Sequence, residues 1–145
     1  MSDQTSTAVS TTNAAIVETF LFALRDQDFD TVDALLADDL VYENVGLPTI
    51  RGGRRVAKMM RSMEGKMAFD VAFRRNVGEG STVINERSDA MVFGPLRLQF
   101  WVCGVFEVRD GQITLWRDYF DMFDMVKATV RGILGVAIPS LRPHF

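Results

Sequence analysis

The stretch TVINERSDAMVFGPLRLQFWVCGVFEVRDGQITLWRDYFD, residues 82–121, decides the fold of this chain. Two turn signals, Gly94-Pro95 and Asp110-Gly111, cut it into three long segments rich in β-branched and aromatic residues. Segments of that kind joined by tight turns make an antiparallel meander, with strands expected over 82–93, 96–108 and 112–121. Strand side chains alternate between faces, so Arg87 and Asp89 point the same way, and Asp118 shares a face with Trp116 and Phe120. A charge in apolar company is unfavourable unless it is paired, and groups so placed often carry the shifted pKa values that catalysis uses. The stretch therefore points to an acid–base pocket on one face of a sheet.

Loop length decides which of these residues meet, because a one-residue slip reverses every side chain. A two-residue loop at Gly94-Pro95 places Arg87 opposite Val102 and Asp89 opposite Phe100. At the second hairpin two registers compete. A two-residue loop at Asp110-Gly111 pairs Val102 with Tyr119 and turns Asp118 to the other face. A three-residue loop, Arg109-Asp110-Gly111 with Gly111 left-handed, pairs Val102 with Asp118 and sets Arg87, Val102 and Asp118 in one row. The three-residue loop is favoured, since it groups Trp116 and Phe120 with Phe100 and Val102 as a continuous apolar wall.

Upstream, the spacing of apolar residues is largely helical. Asn13 is the expected N-cap of a helix carrying Ile16, Val17, Phe20, Leu21 and Leu24. A short helix near Asp30 turns Val32, Leu35 and Leu36 inward, and a strand over 40–44 ends at Gly46 and Pro48. Val56, Met59, Met60 and Met63 form the stripe of a third helix over 53–63. Those methionines read as core, with lining of a pocket for a bulky apolar ligand as the alternative. Phe69, Val71 and Phe73 alternate as one more strand. A last helix is expected over 124–133, before a tail containing Pro139 and Pro143. Residues 1–12, rich in Ser and Thr, read as a flexible tail, and 13–145 as a single domain. Helices followed by a curved sheet that they cover make an α+β protein.

Composition narrows the chemistry. The chain has 145 residues, enough for a proper core, and a formal net charge of −3, which argues against a nucleic-acid partner. No apolar stretch is long enough to span a membrane, and the first residues lack the charged start and apolar run of a secretory leader. Cys103 is the only cysteine and His144 the only histidine, which argues against zinc sites and a Ser-His-Asp triad and fits a cytoplasmic location. No cofactor or metal is expected. Chemistry is left to Asp, Glu, Arg, Lys, Tyr and Asn.

Three motifs then stand in order: Tyr42-Glu43-Asn44, Glu86-Arg87-Ser88-Asp89, and Trp116-Arg117-Asp118-Tyr119-Phe120-Asp121. Together with Gly104-Val105-Phe106 and Gly111-Gln112-Ile113 flanking the last hairpin, they resemble the limonene-1,2-epoxide hydrolases over about residues 13–123. The resemblance implies a curved mixed, largely antiparallel sheet forming a cone-shaped α+β barrel. That fold is shared with nuclear transport factor and ketosteroid isomerase, and it implies a homodimer. It further implies that Asp118 is the general base that deprotonates water, with Tyr42 and Asn44 holding that water. Asp89 would be the general acid for the epoxide oxygen, and Arg87 would lie between the two carboxylates. The implied substrate is an apolar epoxide, terpenoid, fatty or sterol-derived. The apolar contact residues do not match closely enough to name limonene oxide.

Simpler readings stand beside these. Asp89 and Asp118 can each be half of a structural salt bridge, and Tyr42 and Asn44 can be strand-end residues. Glu86, Arg117 and Asp121 alternate away from the pocket and read as solvent-facing or interface charges, and Cys103 as a small buried residue. The rival functions are an isomerase or cyclase on the same fold, or a non-catalytic ligand-binding or dimerisation module.

Overall fold

The computed structural model describes residues 12–145, so nearly all of the expected N-terminal tail lies outside the described residues. Helix α1, Asn13–Asp26, is capped by Thr12 rather than Asn13. Thr12 has the extended backbone a cap needs, and its hydroxyl accepts from the Ala15 amide at 3.1 Å. Asn13 instead donates through Nδ2 to the carbonyl of Gly80 at 2.9 Å, tying the helix start to the sheet. Helix α2, Phe29–Leu35, runs directly into strand β1, Leu36–Asn44. The strand starts earlier than the expected 40 because Leu36 and Ala37 are themselves buried. After the short β2, Ile50–Arg51, comes helix α3, Gly53–Ser62. Gly53 lies against the Ala37 carbonyl so closely that any side chain there would overlap it.

The meander is built from β3, Ala68–Glu79, β4, Thr82–Phe93, β5, Leu96–Arg109, and β6, Gln112–Tyr119. One sheet of six strands results, in the order β2-β1-β6-β5-β4-β3. Among the described residues only the β1–β6 pair is parallel, so the sheet is mixed and largely antiparallel, as expected. Val17, Phe20 and Leu21 of α1 are completely buried in one core with Val56, Val83, Phe106 and Ile113. Helix α4, Met122–Ala137, is longer than the expected 124–133. Asp121 caps it by accepting from the Phe123 amide at 2.8 Å, a local use for a residue read as solvent-facing.

The first hairpin has the expected register, with Arg87 opposite Val102 and Asp89 opposite Phe100. The second does not. Arg109 pairs with Gln112, so the loop is the two residues Asp110 and Gly111, with φ of 53° and 78°. Two left-handed residues in a two-residue loop match the twist of the flanking strands. The register then shifts within β6: Val108 pairs with Ile113, but Glu107 pairs with Leu115, leaving Thr114 as the extra residue of a β-bulge. The bulge returns Asp118 to the inner face, opposite Gly104 rather than Val102.

Candidate active site

Three alternating residues of β4 present the polar groups of the site. Asn85, Arg87 and Asp89 lie on one face, and all are buried, with Arg87 at 0% exposure. Arg87 Nε donates to Asp89 Oδ1 at 2.8 Å and Nη2 to Asp89 Oδ2 at 3.1 Å, a forked pair. The same Nη2 stands 2.8 Å from Asp118 Oδ1. The remaining arm, Nη1, donates to Asn85 Oδ1 at 2.8 Å. Arg87 therefore bridges two carboxylates from different strands, and the Phe106 ring lies 5.8 Å from its guanidinium carbon.

Asp118 is held differently from Asp89. Its Oδ2 accepts from the indole Nε1 of Trp116 at 3.1 Å. Its Oδ1 is ion-paired with Arg87 without hydrogen-bond alignment, and accepts no hydrogen bond among the described residues. The parallel pairing of β1 with β6 sets Tyr42 beside Trp116 and Asn44 beside Asp118. The Tyr42 and Trp116 rings stack at 4.0 Å, and Phe20 meets Trp116 edge-on at 5.0 Å. All five residues singled out in the sequence, Tyr42, Asn44, Arg87, Asp89 and Asp118, are thus brought together.

Electrostatics follow from burial. Burial pushes the Asp89 carboxyl up to about 6; Arg87 opposes this and the charge of Asp118 adds to it. Burial likewise pushes Tyr42 up to about 12, with the charge of Asp118 adding and a hydrogen bond with Asn44 opposing. Burial alone would favour neutral Arg87, but the two carboxylates outweigh it and hold the guanidinium charged.

These groups open on a cavity of about 340 Å³. Tyr42, Asn44, Asp89 and Asp118 form its polar patch, and the rest of the lining is apolar. Phe100, Val102, Trp116 and Phe120 make the expected wall, and Met60 faces them with Met67, Met91, Met122 and Met125. Met60 thus lines the pocket, the alternative given for the methionine stripe. A larger, open concavity of about 980 Å³ lies around the outward-facing Ile84, Trp101 and Cys103 and touches neither carboxylate. Cys103 is half-buried there, not buried as expected, because its strand position points away from the core. Arg117 pairs with Glu43 at 2.8 Å, and Glu86 with Arg75 at 3.0 Å, both away from the pocket. Among the described residues, no three His, Cys, Asp or Glu side chains gather in a metal-holding group.

Two contributors were not singled out from the sequence. Asn85 carries a signal, since it shares the i, i+2, i+4 face with Arg87 and Asp89. Trp116 as a donor to Asp118 carries the same signal, two residues away on one strand, but was read only as apolar wall.

Comparison with known proteins gives a consistent assignment. A family model described as the limonene-1,2-epoxide hydrolase catalytic domain matches residues 11–131. The chain is 60% identical over 126 residues to epoxide hydrolase EphG of Mycobacterium tuberculosis, covering 87% of this chain and 85% of that protein. It superposes on the solved structure of an M. tuberculosis LEH-like epoxide hydrolase with a TM-score of 0.91 at 57% identity, covering 93% of this chain and 97% of that one. An NTF2-like protein of unknown function from Burkholderia pseudomallei shares the fold alone, with a TM-score of 0.68 at 16% identity over 82% of this chain and 98% of that one.

Proposed function

This chain belongs to the limonene-1,2-epoxide hydrolase family and is an epoxide hydrolase of that type, and on that premise we propose that Asp118, Arg87 and Asp89 add water directly across an apolar epoxide. The observation that carries the proposal is the fully buried Arg87 between two carboxylates, both of which line a largely apolar cavity. Family membership sets aside the isomerase, cyclase and non-catalytic alternatives.

An epoxide is strained, yet its alkoxide is a poor leaving group, so protonation during ring opening lowers the barrier. Water is a weak nucleophile unless a base takes its proton in the same step. Asp118 takes that proton as the water oxygen bonds to a ring carbon. The carbon–oxygen bond of the ring breaks, and the Asp89 proton passes to the departing oxygen, giving a vicinal diol. Assistance of this kind is worth roughly 10²–10⁴-fold per group. Each turnover leaves the proton on Asp118 and none on Asp89, and a net return of one proton resets the pair.

Several features support these roles. Asp118 lines the cavity, and its buried Oδ1 accepts no hydrogen bond among the described residues, so the carboxylate is not fully committed to protein donors. Asp89, pushed up to about 6, keeps its proton further into the neutral range than an ordinary aspartate. Tyr42, pushed up to about 12, stays a neutral phenol that can orient the water with Asn44 but cannot serve as base. The methionine and phenylalanine lining suits terpenoid, fatty or sterol-derived epoxides. Exposed Ile84, Trp101 and Tyr119 on the outer sheet face support a homodimer.

The test is a single turnover in oxygen-18 water, with enzyme in excess over each of a panel of apolar epoxides. The first diol formed should carry the label. Unlabelled oxygen in that first diol means a covalent ester to the protein, and the direct-water mechanism falls.

A further inference from the structure

We propose that Asn85 is a positioning residue for this reaction: it holds the third arm of Arg87, in a gap left by Gly104, so that the other two arms stay on Asp89 and Asp118. The inference rests on the roles proposed above for the two carboxylates and goes beyond them.

A chain of side-chain amides carries it. Arg87 Nη1 donates to Asn85 Oδ1 at 2.8 Å, Asn85 Nδ2 donates to Asn76 Oδ1 at 3.4 Å, and Asn76 Nδ2 donates to the Ala14 carbonyl at 2.9 Å. The two ends fix the polarity of everything between them. A guanidinium can only donate, and a backbone carbonyl can only accept. Each asparagine must therefore point its oxygen towards Arg87 and its amide nitrogen towards α1. Asn85 is 1% exposed, so no bulk solvent can substitute for either partner.

Backbone irregularity makes the chain possible. In β3 the register shifts between Phe73 and Arg75, which sets Asn76 directly opposite Asn85. On the other side, Gly104 of β5 pairs with both Asn85 and Asp118. A methyl group at Gly104 would overlap Arg87 Nη1 and lie 2.7 Å from Asn85 Oδ1. The guanidinium reaches Asp118 across the one position in that row without a side chain. Without the Asn85 acceptor, Nη1 is left a buried unpaired donor, and a turn of the guanidinium towards another partner shifts the fork on the two carboxylates.

The test measures kcat and KM per folded enzyme for Asn85→Leu, Asn85→Thr and Asn85→Ala. Leucine keeps the volume but removes the acceptor, and kcat should fall roughly 10–100-fold, the effect of a small misplacement of reacting groups, with KM within about threefold. Threonine keeps a side-chain oxygen and should recover most of that loss. A wild-type kcat for Asn85→Leu, a loss confined to KM, or a threonine variant no better than leucine overturns the proposal. Should Asn85→Leu fail to fold, Asn85→Ala decides, since it removes the same acceptor without adding apolar volume: its kcat falls tenfold or more with KM within about threefold, or the proposal is wrong. Asp118→Asn in the same assay separates the two levels. If it stays active, the base assignment itself fails; if it is dead while Asn85→Leu is normal, only the positioning role of Asn85 fails.

Discussion

A single cation serving two buried acids is the residue-scale fact from which the chemistry follows. Asp89 and Asp118 together carry one negative charge more than Arg87 can neutralise, so a proton on one of them leaves the group without net charge. Asp89 is the one that burial pushes up, from 3.8 to about 6. The folded state therefore favours its protonated form. Its contribution to stability is complete below about pH 4 and is lost as pH rises through about 6, on the order of 3 kcal/mol at roughly 1.4 kcal/mol per unit. Asp89→Asn removes this titration. Thermal denaturation of both proteins at pH 4 and pH 7 should show the gap moving in favour of the variant at the higher pH. The same substitution should abolish diol formation, and wild-type kcat/KM should decline as pH rises through about 6. A stability gap independent of pH would show that Asp89 titrates normally. At this scale alternation along a strand made the shared face of Arg87 and Asp89 legible, whereas Asp118, Tyr42 and Asn44 stood out as site residues through the family resemblance of their motifs. Asn85 was harder to see: alternation sets it on the face of Arg87 and Asp89, but its role shows only once its partner Asn76 on the neighbouring strand is known.

Elements aim these residues, and here a bulge matters more than a turn. The Asp110-Gly111 loop is the two-residue kind that, in a regular hairpin, would face Asp118 outward. Thr114 adds one residue to β6 and reverses that parity. Deletion of Thr114 would let Leu115 follow Ile113 with the pairs Glu107–Leu115 and Gly104–Asp118 unchanged. The deletion variant should thus keep Asp118 inside and retain diol formation within about tenfold. A folded but inactive deletion variant would mean that the extra twist of the bulge, and not parity alone, aims Asp118. No single-strand pattern announces such a bulge, since Thr114-Leu115 reads equally well as regular strand. Turn signals, by contrast, were legible at Gly94-Pro95 and Asp110-Gly111 because glycine is strongly preferred where φ is positive.

Across the whole molecule, buried residues of α1, α2 and α3 share one core with the inner face of the sheet, and the outer face leaves Ile84, Trp101 and Tyr119 exposed at 48%, 42% and 41%. Light scattering on the purified protein should give twice the chain mass, and Ile84→Glu should shift it towards the single chain. A wild-type protein that scatters as one chain at micromolar concentration would remove the dimer from the proposal. Among the described residues, no helix is long and apolar enough to cross a membrane. The sequence by itself determined the element types, the α+β class and the inner-face grouping of Arg87 with Asp89, because period and turn chemistry are local properties of the chain. Only the tertiary structure decided that Asp118 meets Arg87 across Gly104, and that Asn76 reaches Asn85. Those meetings depend on bulges and on strand neighbours distant in sequence, whose positions are fixed by the packing of the whole sheet rather than by any residue's own preference.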